Sequence, residues 1–171
     1  MEDEMQVAEK RRILVAVDEG EESMNALTWC INNIIMGNPR TSLAILHVRR
    51  PTLIYPVMDD TAYVLSSDVR NSLEKHEREV ARVVIEKAKS LCCEFNVEVD
   101  ARIEDGVPKE VICDAVEKLR ADLLVLGSHG YSLIARTFLG SVSNYCVHNA
   151  SCPVLVVKMP KSSSSAGSTR K

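Results

Sequence analysis

The sequence predicts an α/β domain, a doubly wound five-stranded parallel sheet with helices on both faces. Short apolar runs alternate with longer segments of helical period, the pattern of parallel strands joined by crossover helices. Most of those runs are apolar at successive positions, as strands covered on both faces must be. A length of 171 residues with 46% hydrophobic content suits one domain with a substantial core.

Residues 1–10 are polar and are expected to form a flexible N-terminus ahead of a domain spanning 11–159. Residues 13–17 read as a central strand. In 21–36, Met24, Leu27, Ile31, Ile34 and Ile35 share one face at a 3.6-residue period, so a helix is expected there. Gly37-Asn38-Pro39 ends it. Residues 42–48 form the second strand. Residues 49–66, with Pro51 and Pro56 and no clear period, read as a long connection of the kind that is usually functional or mobile.

Residues 67–93 form a long charged helix with Leu73, Val80, Val83, Val84, Ala88 and Leu91 inward. Val97, Val99, Ala101 and Ile103 alternate with Glu98, Asp100 and Arg102, the period of a half-exposed edge strand. Gly106-Val107-Pro108 opens the next helix, with proline in the first turn and Val111, Ile112, Ala115, Val116 and Leu119 inward. Residues 123–126 are a buried fourth strand, 141–148 a short helix and 154–157 the last strand. The Ser-rich segment 160–171 reads as a disordered tail.

Composition narrows the function. Lys and Arg number 21 against 24 Asp and Glu, a net charge of −3 that offers no footprint for nucleic acid. No apolar run approaches the ~20 residues that span a bilayer, so no membrane role is expected. The chain begins Met1-Glu2-Asp3-Glu4, acidic where a secretory signal is basic. The six cysteines (30, 92, 93, 113, 146, 152) include no Cys-x-x-Cys, and five lie in or beside apolar segments where a thiol acts as a small hydrophobe. A reduced cytoplasmic protein is expected.

The most specific pattern follows the fourth strand: Gly127-Ser128-His129-Gly130, nine residues, then Gly140-Ser141. Glycines at a strand-to-helix turn let backbone N–H groups approach an anion, and the helix start that follows favours phosphate. Neither Gly-x-Gly-x-x-Gly after the first strand nor Gly-x-x-x-x-Gly-Lys-Ser/Thr is present. The spacing Gly-x2-Gly-x9-Gly-Ser, over a span from Arg11 to Lys158, resembles the nucleotide-binding branch of the universal stress protein family in a plant-type form.

That resemblance implies the sheet order 3-2-1-4-5. Ligands in such sheets bind beyond the carboxyl ends of the strands where the order reverses, here between strands one and four. Asp18 ends strand one and Gly127 ends strand four, so both features point to one crevice. The implied contacts are Ala16, Val17, Asp18, Val48, Gly127, Ser128, His129, Gly130, Gly140, Ser141, Val142 and Ser143, around ATP or AMP.

Several of these residues have a second reading. Asp18 could accept from a ribose hydroxyl or hold Mg²⁺ through water, or it could cap the helix that begins at Glu21. Relatives often carry Ser two residues after this Asp; this chain has Gly20, so no contact of that hydroxyl carries over. Val48 is either the backbone reader of the adenine edge or a plain core valine. Ser141 and Ser143 would offer hydroxyls and N–H groups to phosphate. His129 and Arg136 are either phosphate contacts or solvated loop residues. His47, His76 and His148 read as structural or surface residues, and no nucleophile–base–orienter set is present.

The expected function is an adenine-nucleotide-binding stress-response regulator, at most a slow ATP hydrolyser. A nucleotide-dependent hydrolase or phosphotransferase, with Asp18 as the sole candidate base, is one alternative. A dimeric interaction module with a vestigial pocket is another. Val154, Leu155, Val156 and Val157 form an apolar strand at the sheet edge, where unpaired N–H and C=O groups invite pairing. A homodimer through that strand is therefore expected.

Overall fold

The order of elements in the computed structural model, which describes residues 10–50, 67–128 and 139–160, alternates strand and helix. It runs β1 (Arg11–Ala16), α1 (Glu21–Cys30), β2 (Thr41–Arg49), α2 (Ser67–Glu94), β3 (Val99–Asp105), α3 (Pro108–Leu119), β4 (Leu123–Gly127), α4 (Ser141–Asn149) and β5 (Val154–Val157). All pairings are parallel and the sheet order is β3-β2-β1-β4-β5, as expected. The expected N-terminus, most of the 49–66 connection and nearly all of the tail lie outside the described residues.

The two-residue period of the strands divides the core between the two faces. Ile13 and Val15 pack with Met24, Leu27, Val84 and Ala88 of α1 and α2. Leu14, Leu124 and Leu126 pack with Ile112, Val116 and Cys146 of α3 and α4. Ile13, Leu14, Val15, Leu124 and Val125 are wholly buried. At about 1.5–3 kcal/mol for each such large side chain, the central strands dominate the stability of the sheet.

The helices depart from expectation in two places. The helix that begins as α1 does not stay regular to Met36: residues Ile31–Ile35 are π-helical, and the Met36 N–H reaches the Ile31 carbonyl at 3.0 Å. The wider turn keeps Ile31 and Ile35 buried together. In α2 the buried face is Ala81, Val84, Ile85, Ala88 and Cys92, whereas Leu73 and Val83 are exposed. Leu73 lies in the stretch 68–76 that is exposed throughout, so the sheet supports only the C-terminal part of α2, and Val83 lies on the side of that part turned away from the buried face.

β3 occupies an edge, as its alternation predicted, but the alternation stops at Ala101, because Ile103 is 46% exposed. Charge guards that edge. Arg102 pairs with Asp100 at 2.7 Å, and Arg49 grips Asp105 through two hydrogen bonds of 2.5 and 2.7 Å.

Candidate nucleotide site

β1 and β4 pair in parallel, with Ile13 beside Leu123 and Val15 beside Val125, so the chain leaves the sheet at neighbouring points after Val17 and Gly127. α1 then packs on one face and α4 on the other. In an open sheet of this kind, ligands bind beyond the carboxyl ends of the strands at the reversal of strand order, here between β1 and β4.

The β1 side is fixed by backbone bonds. The Val17 N–H donates to the Leu46 carbonyl at 2.9 Å, and His47 Nδ1 lies 2.9 Å from the Val17 carbonyl. His47 is only 6% exposed, so this bond requires a protonated Nδ1 and makes the residue a brace for the end of β1. Val48 follows it, half-buried against the α3/α4 face, where Ala16 also packs.

Asp18 does not cap α1. The N-cap is Gly20, which makes no side-chain bond, and Asp18 Oδ1 instead accepts from the Gly20 N–H at 3.0 Å. This Asx-type turn uses one of the two carboxylate oxygens. A Cβ at Gly20 would lie 3.0 Å from that same Oδ1. The capping work falls to Ser23 at the third helical position. Its hydroxyl accepts from the Asp18 N–H at 3.0 Å and donates toward the Gly20 carbonyl at 3.0 Å or the Asp18 carbonyl at 3.1 Å.

On the β4 side three residues have structural partners. A Cβ at Gly127 would lie 2.9 Å from the Glu22 carbonyl carbon and 3.0 Å from the Ser23 nitrogen, so this glycine admits the first turn of α1. Ser128 is 3% exposed: its N–H donates to the Val157 carbonyl at 3.1 Å, and its hydroxyl donates to Glu22 Oε2 at 2.6 Å. Its carbonyl accepts from the Gly140 N–H at 2.8 Å and lies 3.1 Å from the Ser143 hydroxyl. Ser143 is 4% exposed and its one hydrogen serves either that carbonyl or the Gly140 carbonyl at 3.0 Å. The Ser128 carbonyl, bonded by the Gly140 N–H and approached by the Ser143 hydroxyl, therefore ties the end of β4 to the start of α4, while the Ser128 hydroxyl ties it to α1.

What remains for an anion is the start of α4. Gly140 is its N-cap without a side-chain bond, and the first intrahelical bond is Asn144 N–H to the Gly140 carbonyl at 2.9 Å. The N–H groups of Ser141, Val142 and Ser143 precede it, where a helix has no partner of its own to offer. Ser141 is exposed and Val142 half-buried. His129, Gly130 and Arg136 lie outside the described residues.

Glu22 is the functional candidate that sequence reasoning missed. Its place in the first turn of α1 is visible in the sequence, but its partner lies 106 residues away. Among the described residues no group of three or more His, Cys, Asp or Glu side chains could hold a metal. A single half-committed carboxylate, Asp18, fits Mg²⁺ only as the counter-ion of a bound phosphate. A groove of about 270 Å³ runs from Asp18 past Met24 to His76, Val80 and Val83, on the α1/α2 face and away from the start of α4.

An open parallel sheet of order β3-β2-β1-β4-β5 with helices on both faces defines a doubly wound α/β fold. The chain belongs to the universal stress protein family, whose model matches residues 10–158. It is similar to the universal stress protein A-like protein of Arabidopsis thaliana, 31% identical over 141 residues that cover 78% of this chain and 76% of the relative. Its fold matches that of universal stress protein UspA from Lactobacillus plantarum with a TM-score of 0.71, 23% identity, and coverage of 88% of this chain and 99% of that one. It also matches a universal stress protein family protein of Arabidopsis thaliana solved with AMP bound, with a TM-score of 0.65, 24% identity, and coverage of 92% and 97%.

Proposed function

We propose that this protein binds an adenine nucleotide, ATP or AMP, as a stress-response regulator in the cytoplasm. The observation that carries this reading is the pairing of β1 with β4 at the switch point, with Asp18 following β1 and the start of α4 following β4, in a chain whose family includes an AMP-bound structure. The Asp18 carboxylate suits the ribose hydroxyls, and the backbone at Ala16, Val17 and Val48 suits the base. The N–H groups of Ser141–Ser143 and the Ser141 hydroxyl suit the phosphates, with His129 and Gly130 as the further contacts that the family resemblance implies. A few charge-assisted bonds of roughly 1.5–3 kcal/mol each support micromolar affinity, about −8 kcal/mol.

Mg²⁺ would accompany a polyphosphate, held by its oxygens and reached by Asp18 through water. At most slow hydrolysis, well below the ~10 s⁻¹ of ordinary enzymes, belongs to this reading. The partner is a second copy of the chain. At β5 the residues Val154, Leu155 and Val156 are half-buried on an edge strand without charge, which supports two-fold pairing of the last strands. Mass spectrometry of the small molecules that co-purify with the native protein tests the reading. Stoichiometric AMP or ATP is expected, and a different tightly bound ligand would overturn it.

A further inference from the structure

We infer that Glu22 is a positioning residue for the anion-binding start of α4, acting through Ser128; the inference rests on the nucleotide reading above. Three bonds form the chain of command. Glu22 Oε2 accepts from the Ser128 hydroxyl at 2.6 Å, the Ser128 carbonyl accepts from the Gly140 N–H at 2.8 Å, and the Ser143 hydroxyl lies 3.1 Å from the same carbonyl. The acceptor is a carboxylate, which makes the bond charge-assisted, and it is partly shielded from water because Ser128 is 3% exposed and Glu22 half-buried. Gly127 makes the reach possible, because any Cβ there would collide with the backbone of Glu22.

Glu22 sits at the second helical position of α1, where the helix dipole offsets its negative charge. Beside an anion site, a carboxylate has two opposed effects. Its charge repels phosphate through space, and its bond to Ser128 fixes the residue that holds Gly140 at the N-cap of α4. The geometry assigns dominance to the second effect. The two are separable, because Glu22→Gln keeps an oxygen to accept from Ser128 and removes the charge, whereas Glu22→Ala removes both.

The test is calorimetric titration of ATP and of adenosine into wild type, Glu22→Ala and Glu22→Gln, with exchange of the Gly140 amide followed by NMR. Glu22→Ala is expected to weaken ATP about tenfold and leave adenosine unchanged, while Glu22→Gln binds ATP at least as tightly as wild type. The Gly140 amide should exchange faster in Glu22→Ala only. ATP binding in Glu22→Ala as tight as wild type or tighter would overturn the proposal and leave Glu22 a source of repulsion alone. Parallel loss of ATP and adenosine would overturn it too, by exposing a general effect on the fold. If wild type binds neither ligand, the nucleotide reading fails, and unchanged Gly140 exchange in Glu22→Ala would then reject the clamp separately.

Discussion

Gly127 lies so close to Glu22 that a Cβ on the glycine would stand 2.9 Å from the Glu22 carbonyl carbon. Gly140 is different, with φ −61° and ψ 160° that any residue adopts. Gly127→Ala should therefore cost about 1–3 kcal/mol through overpacking, whereas Gly140→Ala should leave stability within about 1 kcal/mol of wild type. Urea denaturation checks both, and equal losses would contradict the distinction.

Arg120 ends α3 in the left-handed region at φ 49°, a conformation that suits glycine. The Ala121 N–H still bonds the Val116 carbonyl at 2.9 Å, so the turn is well formed around an ill-suited residue. Arg120→Gly should stabilise the protein by about 0.5–1 kcal/mol, the relief of the left-handed strain less the added freedom of the unfolded chain. A lower melting temperature in the variant would refute this.

The thiols should divide by burial. Cys30, Cys92 and Cys146 are wholly buried, and burial pushes their pKa values up to about 12, about 11 and about 12. Cys93 is exposed on α2. At pH 8 an alkylating reagent should modify Cys93 in the native protein and reach the three buried thiols only on unfolding, because only the thiolate reacts. Peptide mapping after brief alkylation decides, and early labelling of Cys30 would count against the packed α1/α2 face.

Arg49 joins the end of β2 to Asp105 of β3, and its hydrogen bond holds the Asp105 carboxyl below the usual range. A lowered folded-state value stabilises above the unfolded pKa of ~3.9 and is lost as pH falls through the folded value. Both side chains see solvent, at 24% and 57% exposure, so the contribution is at most about 1 kcal/mol. Asp105→Asn should thus be slightly less stable than wild type at pH 7 and equal to it in strong acid. A stability gap that persists in acid would contradict the ion-pair account.

The alternation of strand and helix and the two-faced core were legible because each leaves a local mark, in apolar runs or helical period, whereas the strand order was implied by the family resemblance that the glycine spacing carries. Other features leave none. Gly127 and Gly140 look alike in sequence, yet one serves helix packing and the other an N-cap, since the difference lies in Glu22, more than a hundred residues earlier. The sequence likewise leaves no mark of the bonds that the Ser128 and Ser143 hydroxyls make inside the protein. Val83 is apolar like its buried neighbours Val84 and Ile85, but it lies on the opposite side of α2 from the Ala81, Val84, Ile85, Ala88 and Cys92 face and is exposed.

The central claim is that an adenine nucleotide binds at the start of α4, and calorimetric titration of AMP and ATP into wild type and Gly140→Val tests it most directly. The account predicts saturable micromolar binding of one nucleotide per chain in wild type. It predicts none in Gly140→Val, whose circular dichroism should remain that of a folded α/β protein, because the valine side chain would stand where the phosphates must approach the backbone. Undiminished affinity in a folded Gly140→Val protein, or no binding to wild type freed of any co-purified nucleotide, would contradict it.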